Sequence, residues 1–296
     1  MPKTTIQCEN VWKIFGKFPR NIWEILENSH GKEKEILLQY GCTLGIQDIS
    51  FSIQEGEIFA IMGLSGSGKS TLLRCINRLA EITIGKIFIE NQEISSMTPK
   101  AIKDLRQKKI SMVFQHFALL PHRTVLENAA FGLEIQKVDK NKRHEMAREM
   151  LDMVGLKDCE QSYPEELSGG MQQRVGLARA LLSHSDIILM DEPFSALDPI
   201  IREQMCDEFL KIVAHLKKTI VFITHDMGEA LKVADRIAVM KDGKILQIAT
   251  PEEIILHPND IFIEKFVQSA FSVLKILPAS MQRLFADSAK KSLSEK

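Results

Sequence analysis

Nine residues constrain this chain more than any others: Gly63-Leu64-Ser65-Gly66-Ser67-Gly68-Lys69-Ser70-Thr71. They fit the pattern G-x-x-x-x-G-K-[ST], with Thr71 as a further hydroxyl. Glycines let the backbone wrap closely, so that successive N–H groups face one anion. Lys69 can reach β- and γ-phosphates, and Ser70 offers a hydroxyl to Mg²⁺. The flanks agree. Ile58-Phe59-Ala60-Ile61-Met62 is an apolar run with the character of a buried strand. Leu72, Leu73, Ile76 and Leu79 then recur at helical spacing. Strand, glycine loop and helix N-terminus make a phosphate cradle, whereas a functionless glycine turn needs neither flank. The stretch predicts nucleotide binding.

Two further stretches carry chemistry. The apolar run at 187–190 leads into Asp191-Glu192. A carboxylate ending a second buried strand is where a phosphate-loop enzyme needs its Mg²⁺-side acid. Glu192, one residue on, can orient or deprotonate the water that attacks a γ-phosphate. The second stretch is Leu167-Ser168-Gly169-Gly170-Met171-Gln172-Gln173-Arg174, opening a helix that runs to about Leu182. Ser168 is a natural N-cap, and two glycines bare the N–H groups at the positive end of the helix dipole. Taken alone it is also compatible with a flexible turn before a helix.

Around these motifs the chain alternates. Residues 5–14 read as a strand closed by Phe15-Gly16, with Phe15 either stacking on a base or sitting in the core; spacing alone favours the core. Residues 17–45 are polar, with Ile22, Ile25 and Leu26 on one helical face, and read as an inserted helical segment. Strands are expected at 46–53, 85–89, 110–114 and 219–224, with a hairpin about Asp242-Gly243. From Phe117 to Pro164 no strand pattern occurs, and helices are expected at 125–133 and 141–154. This predicts an α/β fold with a mainly helical subdomain at about 117–175 and a short tail at 271–296.

Composition narrows the classes. Across 296 residues the formal net charge is −1 and no Lys/Arg block occurs, which weighs against a nucleic-acid partner held by bulk electrostatics. The five cysteines are scattered with no C-x-x-C, which fits a reducing cytosol rather than a disulfide or zinc frame. The N-terminus has no apolar signal core, and no apolar run reaches the roughly 18 residues a bilayer span needs. Any membrane role would come through a partner.

In combination and order, these motifs resemble the ATP-binding cassette family. The matching residues are the phosphate loop, Gln115, Leu167-Ser168-Gly169-Gly170-Met171, Asp191-Glu192, Ser195-Ala196-Leu197-Asp198 and His225, across about residues 5–266. The resemblance implies a P-loop NTPase (RecA-like) core with an antiparallel β subdomain and an inserted α-helical subdomain, over about residues 1–270. It implies ATP and Mg²⁺, the metal held by Ser70, Gln115 and Asp191. ATP would lie between one subunit's Gly63, Ser65, Gly66, Ser67, Gly68, Lys69, Ser70 and Thr71 and the other's Ser168, Gly169 and Gly170, in a head-to-tail homodimer. Glu192 would activate water and Gln115 would report nucleotide state. His225 would contact the γ-phosphate, against the usual structural role of a lone histidine. Asp198 would link the two sites, and Phe15 would stack on adenine.

The insert at 17–45, the run Met112-Val113-Phe114-Gln115-His116-Phe117-Ala118-Leu119-Leu120-Pro121-His122 and Phe194-Ser195-Ala196-Leu197-Asp198-Pro199 are similar to the glycine betaine/proline uptake branch. That implies an energy-coupling ATPase of an importer. It would sit peripherally on the cytoplasmic face of the cell membrane, with permease subunits and indirectly a substrate-binding protein. Relatives handling choline, trimethylamine N-oxide or histidine are the alternatives. Many members carry a pair of C-terminal CBS modules. About 26 residues follow Ala270, too few for one compact domain, which implies a short form. Glu90-Asn91-Gln92 stands where the family usually has a D-G turn. A soluble ABC ATPase of translation or repair would typically carry two cassettes or a coiled-coil insertion, and neither occurs. A nucleotide-gated module that does not hydrolyse is disfavoured by the presence of Glu192 and His225.

Overall fold

The computed structural model describes residues 3–19, 22–27, 29, 32–115 and 117–273. His116 of the uptake-branch run and the tail from 274 onward lie outside the described residues.

Two long antiparallel strands open the chain, β1 (Thr4–Phe15) and, after the insert, β2 (Thr43–Gln54). The insert holds two short helices, α1 (Ile22–Glu27) and α2 (Glu33–Gln39). They bury Ile22, Leu26 and Leu37 against Trp12, Ile14 and Cys42, with Trp23 edge-on to Trp12 at 5.2 Å. β3 (Ile58–Met62) runs into the glycine loop, and α3 (Lys69–Ile76) leaves it. β4 (Ile84–Ile89) and β5 (Gln92–Glu93) form a tight hairpin. Its tip, Glu90-Asn91, is left-handed at both residues (φ 48° and 65°), the geometry that Asp-Gly adopts more easily. Lys109 pairs with Glu90 at 3.2 Å and holds that turn against the end of α4 (Pro99–Lys109).

After β6 (Ile110–Val113) come three helices: α5 (Val125–Ile135), α6 (Lys140–Met153) and α7 (Gly169–Leu182). Each starts on a side-chain cap, Thr124 with a Glu127 capping box, Asp139 and Ser168. β7 (Ile187–Asp191), α8 (Pro199–Leu216), β8 (Thr219–Thr224), α9 (Met227–Val233), β9 (Arg236–Lys241), β10 (Lys244–Ala249), α10 (Pro251–Leu256) and α11 (Ile261–Val273) complete the described chain. No motif announces α8, although it has 18 residues. α11 runs continuously past Ala270, so the expected domain edge there is not a break in structure.

The strands form two sheets, a four-stranded one ordered β2-β1-β4-β5 and a six-stranded one ordered β10-β9-β3-β8-β7-β6. In the larger sheet β9, β3, β8, β7 and β6 are parallel, and only β10 runs antiparallel. Parallel strands need both faces covered, and every residue of β7 and β8 is buried. Period-2 alternation sends Phe59, Ile61, Leu189, Val221 and Ile223 toward α3 and the antiparallel sheet. The alternate residues, Ala60, Met62, Met190 and Phe222, face the helical side, where Leu177, Leu181 and Phe209 meet them. Fully burying one such large side chain contributes about 1.5–3 kcal/mol.

Candidate nucleotide site

Four neighbouring parallel strands end along one edge. The glycine loop follows β3, His225 follows β8, Asp191 and Glu192 end β7, and Gln115 follows β6. Register keeps these ends level, with Met62 opposite Thr224, Asp191 opposite Ile223 and Val113 opposite Met190. Carboxyl ends of parallel strands are where ligands of open α/β sheets bind.

The loop tolerates no side chain at two of its glycines. Gly68 has φ +99°, and a Cβ there would lie 2.4 Å from the Gly45 carbonyl oxygen. At Gly63 a Cβ would lie 2.2 Å from the Met240 carbonyl oxygen. The Asp242-Gly243 turn braces the loop from behind: Gly243 N donates to Ser67 O (3.0 Å), while Gln47 N donates to Gly243 O (2.8 Å). Lys69 is buried, its ammonium donating to Gly63 O and Leu64 O at 2.8 and 3.0 Å. Burial pulls its pKa down, and Glu192 and Asp191 oppose that. Ser67 Oγ is buried with no hydrogen-bond partner among the described residues. A hydroxyl so placed, among the backbone amides of a helix start, fits a phosphate oxygen. Ser65 and Gly66 form the exposed outer curve, and Thr71 sits one residue into α3 beyond Ser70, near Gly45.

Ser70 Oγ donates to Asp191 Oδ1 at 2.9 Å. Burial raises the Asp191 carboxyl, while the Ser70 hydroxyl and the Arg74 charge hold it back. Among the described residues no cluster of three His, Cys, Asp or Glu could hold a metal. A hydroxyl and one carboxylate facing a phosphate cradle instead fit Mg²⁺, which keeps waters and shares substrate oxygens.

Glu192 is held in an unusual backbone state. It is left-handed (φ 52°), which costs a non-glycine residue about 1–2 kcal/mol. The structure over-determines that state. Glu192 N donates to Ile223 O (3.1 Å), and Glu192 O accepts from Ser195 Oγ and Gln173 Nε2, both at 3.0 Å. Its carboxylate then lies between two neighbours, 3.5 Å from His225 Nδ1 and 3.4 Å from Gln115 Nε2. Side chains from three strand ends therefore converge on one point beside the Ser70–Asp191 pair.

Ser168 caps α7 by accepting from Met171 N at 3.3 Å. Gly170 packs on the Ser195–Asp198 loop: a Cβ there would lie 2.8 Å from Leu197 Cδ2. Gly169 lies against Phe117, which with Ala118 is left-handed (φ 55° and 48°). Arg179 of α7 clamps this pair, donating to Ala118 O and Phe117 O at 2.9 and 3.0 Å. Asp198 precedes α8 and its side chain caps nothing. Phe15 is 43% exposed at the end of β1, not in the core that spacing favours. Its ring sits on Gly45, where a Cβ would lie 2.7 Å from Cε2, and the Lys13 ammonium is 5.0 Å from its centroid. Gln173, inside the Leu167–Arg174 run, is buried and donates to Glu192 O, a contact its place in the run does not announce.

Fold and edge together define a phosphate-loop nucleotide-binding α/β protein carrying a second glycine-led helix start. The family described as "ABC transporter" matches residues 46–195, half of the chain. The glycine betaine transport ATP-binding protein OpuAA of Bacillus subtilis is 54% identical over 93% of this chain and 65% of its own length. The glycine betaine/proline betaine transport system ATP-binding protein ProV of Escherichia coli is 49% identical over 88% of this chain and 65% of its own. The trimethylamine N-oxide transport system ATP-binding protein TmoW of Pelagibacter ubique is 49% identical over 93% of this chain and 81% of its own. The chain thus spans about two thirds of the length of the first two relatives. A dimeric post-hydrolysis structure of the ATP-binding cassette MJ0796, bound to ADP and Pi, superposes with a TM-score of 0.71 at 32% identity, over 83% of this chain and 98% of that one. This chain belongs to the ABC transporter family.

Proposed function

We propose that this chain is the ATP-hydrolysing, energy-coupling subunit of an ABC importer for glycine betaine/proline-type quaternary amines. The observation that carries the reading is Glu192, fixed in a left-handed backbone with its carboxylate between His225 and Gln115. A carboxylate held there accepts a proton from a water aimed at the γ-phosphorus. The water oxygen bonds to phosphorus as the bond to the β–γ bridging oxygen breaks, and ADP and phosphate leave. Lys69 and the loop amides stabilise charge on the phosphoryl oxygens, and the Ser67 hydroxyl donates to one of them. Ser70 and Gln115 would hold Mg²⁺, with Asp191 behind, and the ion would supply further neutralisation of phosphoryl charge. His225 orients the Glu192 carboxylate and meets the γ-phosphate. Phe15 stacks on adenine.

Ser168, Gly169, Gly170 and Asp198 take a part in ATP cleavage only when a second copy faces the first. A head-to-tail homodimer gives each ATP one copy's loop and the other's α7 start. ATP closes that dimer because the contacts exist only in the closed state. An open groove of about 390 Å³ between α4, α5 and the segment after Gln115, lined by Phe114, Ala118, Phe131 and Ile135, supports docking of a permease against the helical subdomain. No described helix is long and apolar enough to cross a membrane, which fits a peripheral subunit. The relationship to TmoW keeps trimethylamine N-oxide as a second solute reading.

Glu192→Gln tests the mechanism. It should bind ATP with wild-type affinity and lose nearly all turnover, by at least about 10²-fold. Wild-type phosphate release from that variant would refute the water-activating role. Uptake by the reconstituted complex, with betaine, proline betaine, choline, histidine and trimethylamine N-oxide competing, would identify the solute.

A further inference from the structure

Arg202, on the first turn of α8, touches two loops that the motifs treat separately. Its Nη2 donates to Leu197 O at 3.1 Å, the carbonyl next to Asp198. Its Nη1 donates to Asp226 Oδ2 at 3.0 Å, and its Nε lies 3.3 Å from Glu229 Oε1. Asp226 and Glu229 in turn fix the backbone on both sides of His225. Thr224 Oγ1 donates to Glu229 Oε2 at 2.5 Å and accepts from Asp226 N at 2.9 Å, while Glu229 N donates to Asp226 Oδ1 at 3.2 Å. Leu197 itself packs on Gly170 at the start of α7. One guanidinium thus joins the Asp198 loop, the His225 loop and, through Leu197, the Ser168 helix.

The contacts are sheltered enough to matter. The Arg202 side chain is 22% exposed and that of Glu229 6%. A planar guanidinium has donors in a rigid fork, so the two acceptors it bonds, Leu197 O and Asp226 Oδ2, are held at fixed relative positions, with Glu229 adding an ion pair beside them. A lysine offers one point charge and no fork to span both acceptors.

We propose that Arg202 is a positioning residue that ties the Asp198 loop to the His225 loop within one subunit, so that docking of Ser168 and Asp198 on a partner's nucleotide sets His225 at the subunit's own. This rests on the dimer reading above. Arg202 need touch no nucleotide; it transmits by holding two backbone segments to one rigid group.

The test compares the full chain with Arg202→Met, Arg202→Lys and Asp226→Asn. Amide hydrogen exchange without nucleotide is read over residues 194–199 and 223–229, and ATP binding, kcat, KM and the Hill coefficient for ATP are measured. Arg202→Met should raise exchange about tenfold in both segments together. ATP binding should stay near wild type, kcat should fall about 10- to 100-fold with KM little changed, and the Hill coefficient should drop toward unity. Arg202→Lys should recover part of kcat but not the joint protection. If Arg202→Met does not fold, Asp226→Asn carries the same readings, with exchange rising in both segments to a smaller extent. Exchange that rises in one segment only, or in neither, overturns the tether, and so does unchanged kcat with both segments loosened. A wild-type chain that binds but never hydrolyses ATP would defeat the proposed function, and the exchange data would still decide the tether.

Discussion

Gly68 and Glu192 both sit in left-handed backbone, but for opposite reasons. Gly68 is glycine because the Gly45 carbonyl leaves no room for a Cβ. Gly68→Ala should therefore distort the loop and abolish ATP binding measured by calorimetry; binding within a few-fold of wild type would contradict the cradle geometry. Glu192 takes the same region while carrying a side chain, and Gln173, Ser195 and Ile223 hold its backbone in place. Glu229 makes a further prediction. Burial pushes its carboxyl from 4.5 up to about 7; the Thr224 hydroxyl opposes that, Asp226 adds to it, and Arg202 and His225 pull back. A carboxyl raised on folding keeps its proton longer in the native state than in the unfolded one. Its contribution to stability therefore falls as pH rises from about 4.5 through about 7, with the loss complete above that. Thermal melts between about pH 5 and about pH 8 should show wild type losing ground to Glu229→Gln as pH rises. A constant difference across that range would contradict the assignment.

At the scale of elements, β7 and β8 are interior strands of the parallel sheet, buried at every residue. Phe222 is buried on the helical face, and Phe222→Ala should cost about 3–5 kcal/mol in denaturant unfolding. A loss below about 1 kcal/mol would mean that face is not close-packed. These strands were legible in the residues because a strand covered on both sides needs an unbroken apolar run. The phosphate loop, Asp191 and the Ser168 cap were legible because each is local chemistry at a chain turn. α8 was less so. Its apolar residues Met205, Phe209 and Val213 do recur four apart, but Arg202 and Glu203 before them and Asp207, Glu208 and Lys211 among them give the segment a polar character. The contacts of Gln173 with Glu192 and of Arg202 with Asp226 join residues 19 and 24 apart through tertiary packing. No local pattern encodes them. The exposure of Phe15 was hidden similarly, since Gly45, which seats its ring, arrives from the next strand.

At the scale of the whole molecule, the proposed function rests on two helix starts built differently. One, at the end of β3, is backed by Lys69, Ser70 and Asp191. The other, at the start of α7, is formed by Ser168, Gly169 and Gly170 against Phe117 and Leu197. α7 belongs to the helical side, packing on α5 and α6 as well as on β6, so its start moves with those helices. Trans-complementation asks most directly whether ATP is cleaved between the two cradles of different copies. Lys69→Ala disables the first cradle and Ser168→Arg the second, and each chain alone should be inactive. Mixed in equal amounts they form hybrid dimers with one intact composite site, so hydrolysis should return to roughly a quarter of the wild-type rate if partners exchange freely. A mixture no more active than the two variants measured apart, with hybrid dimers present, would contradict the account.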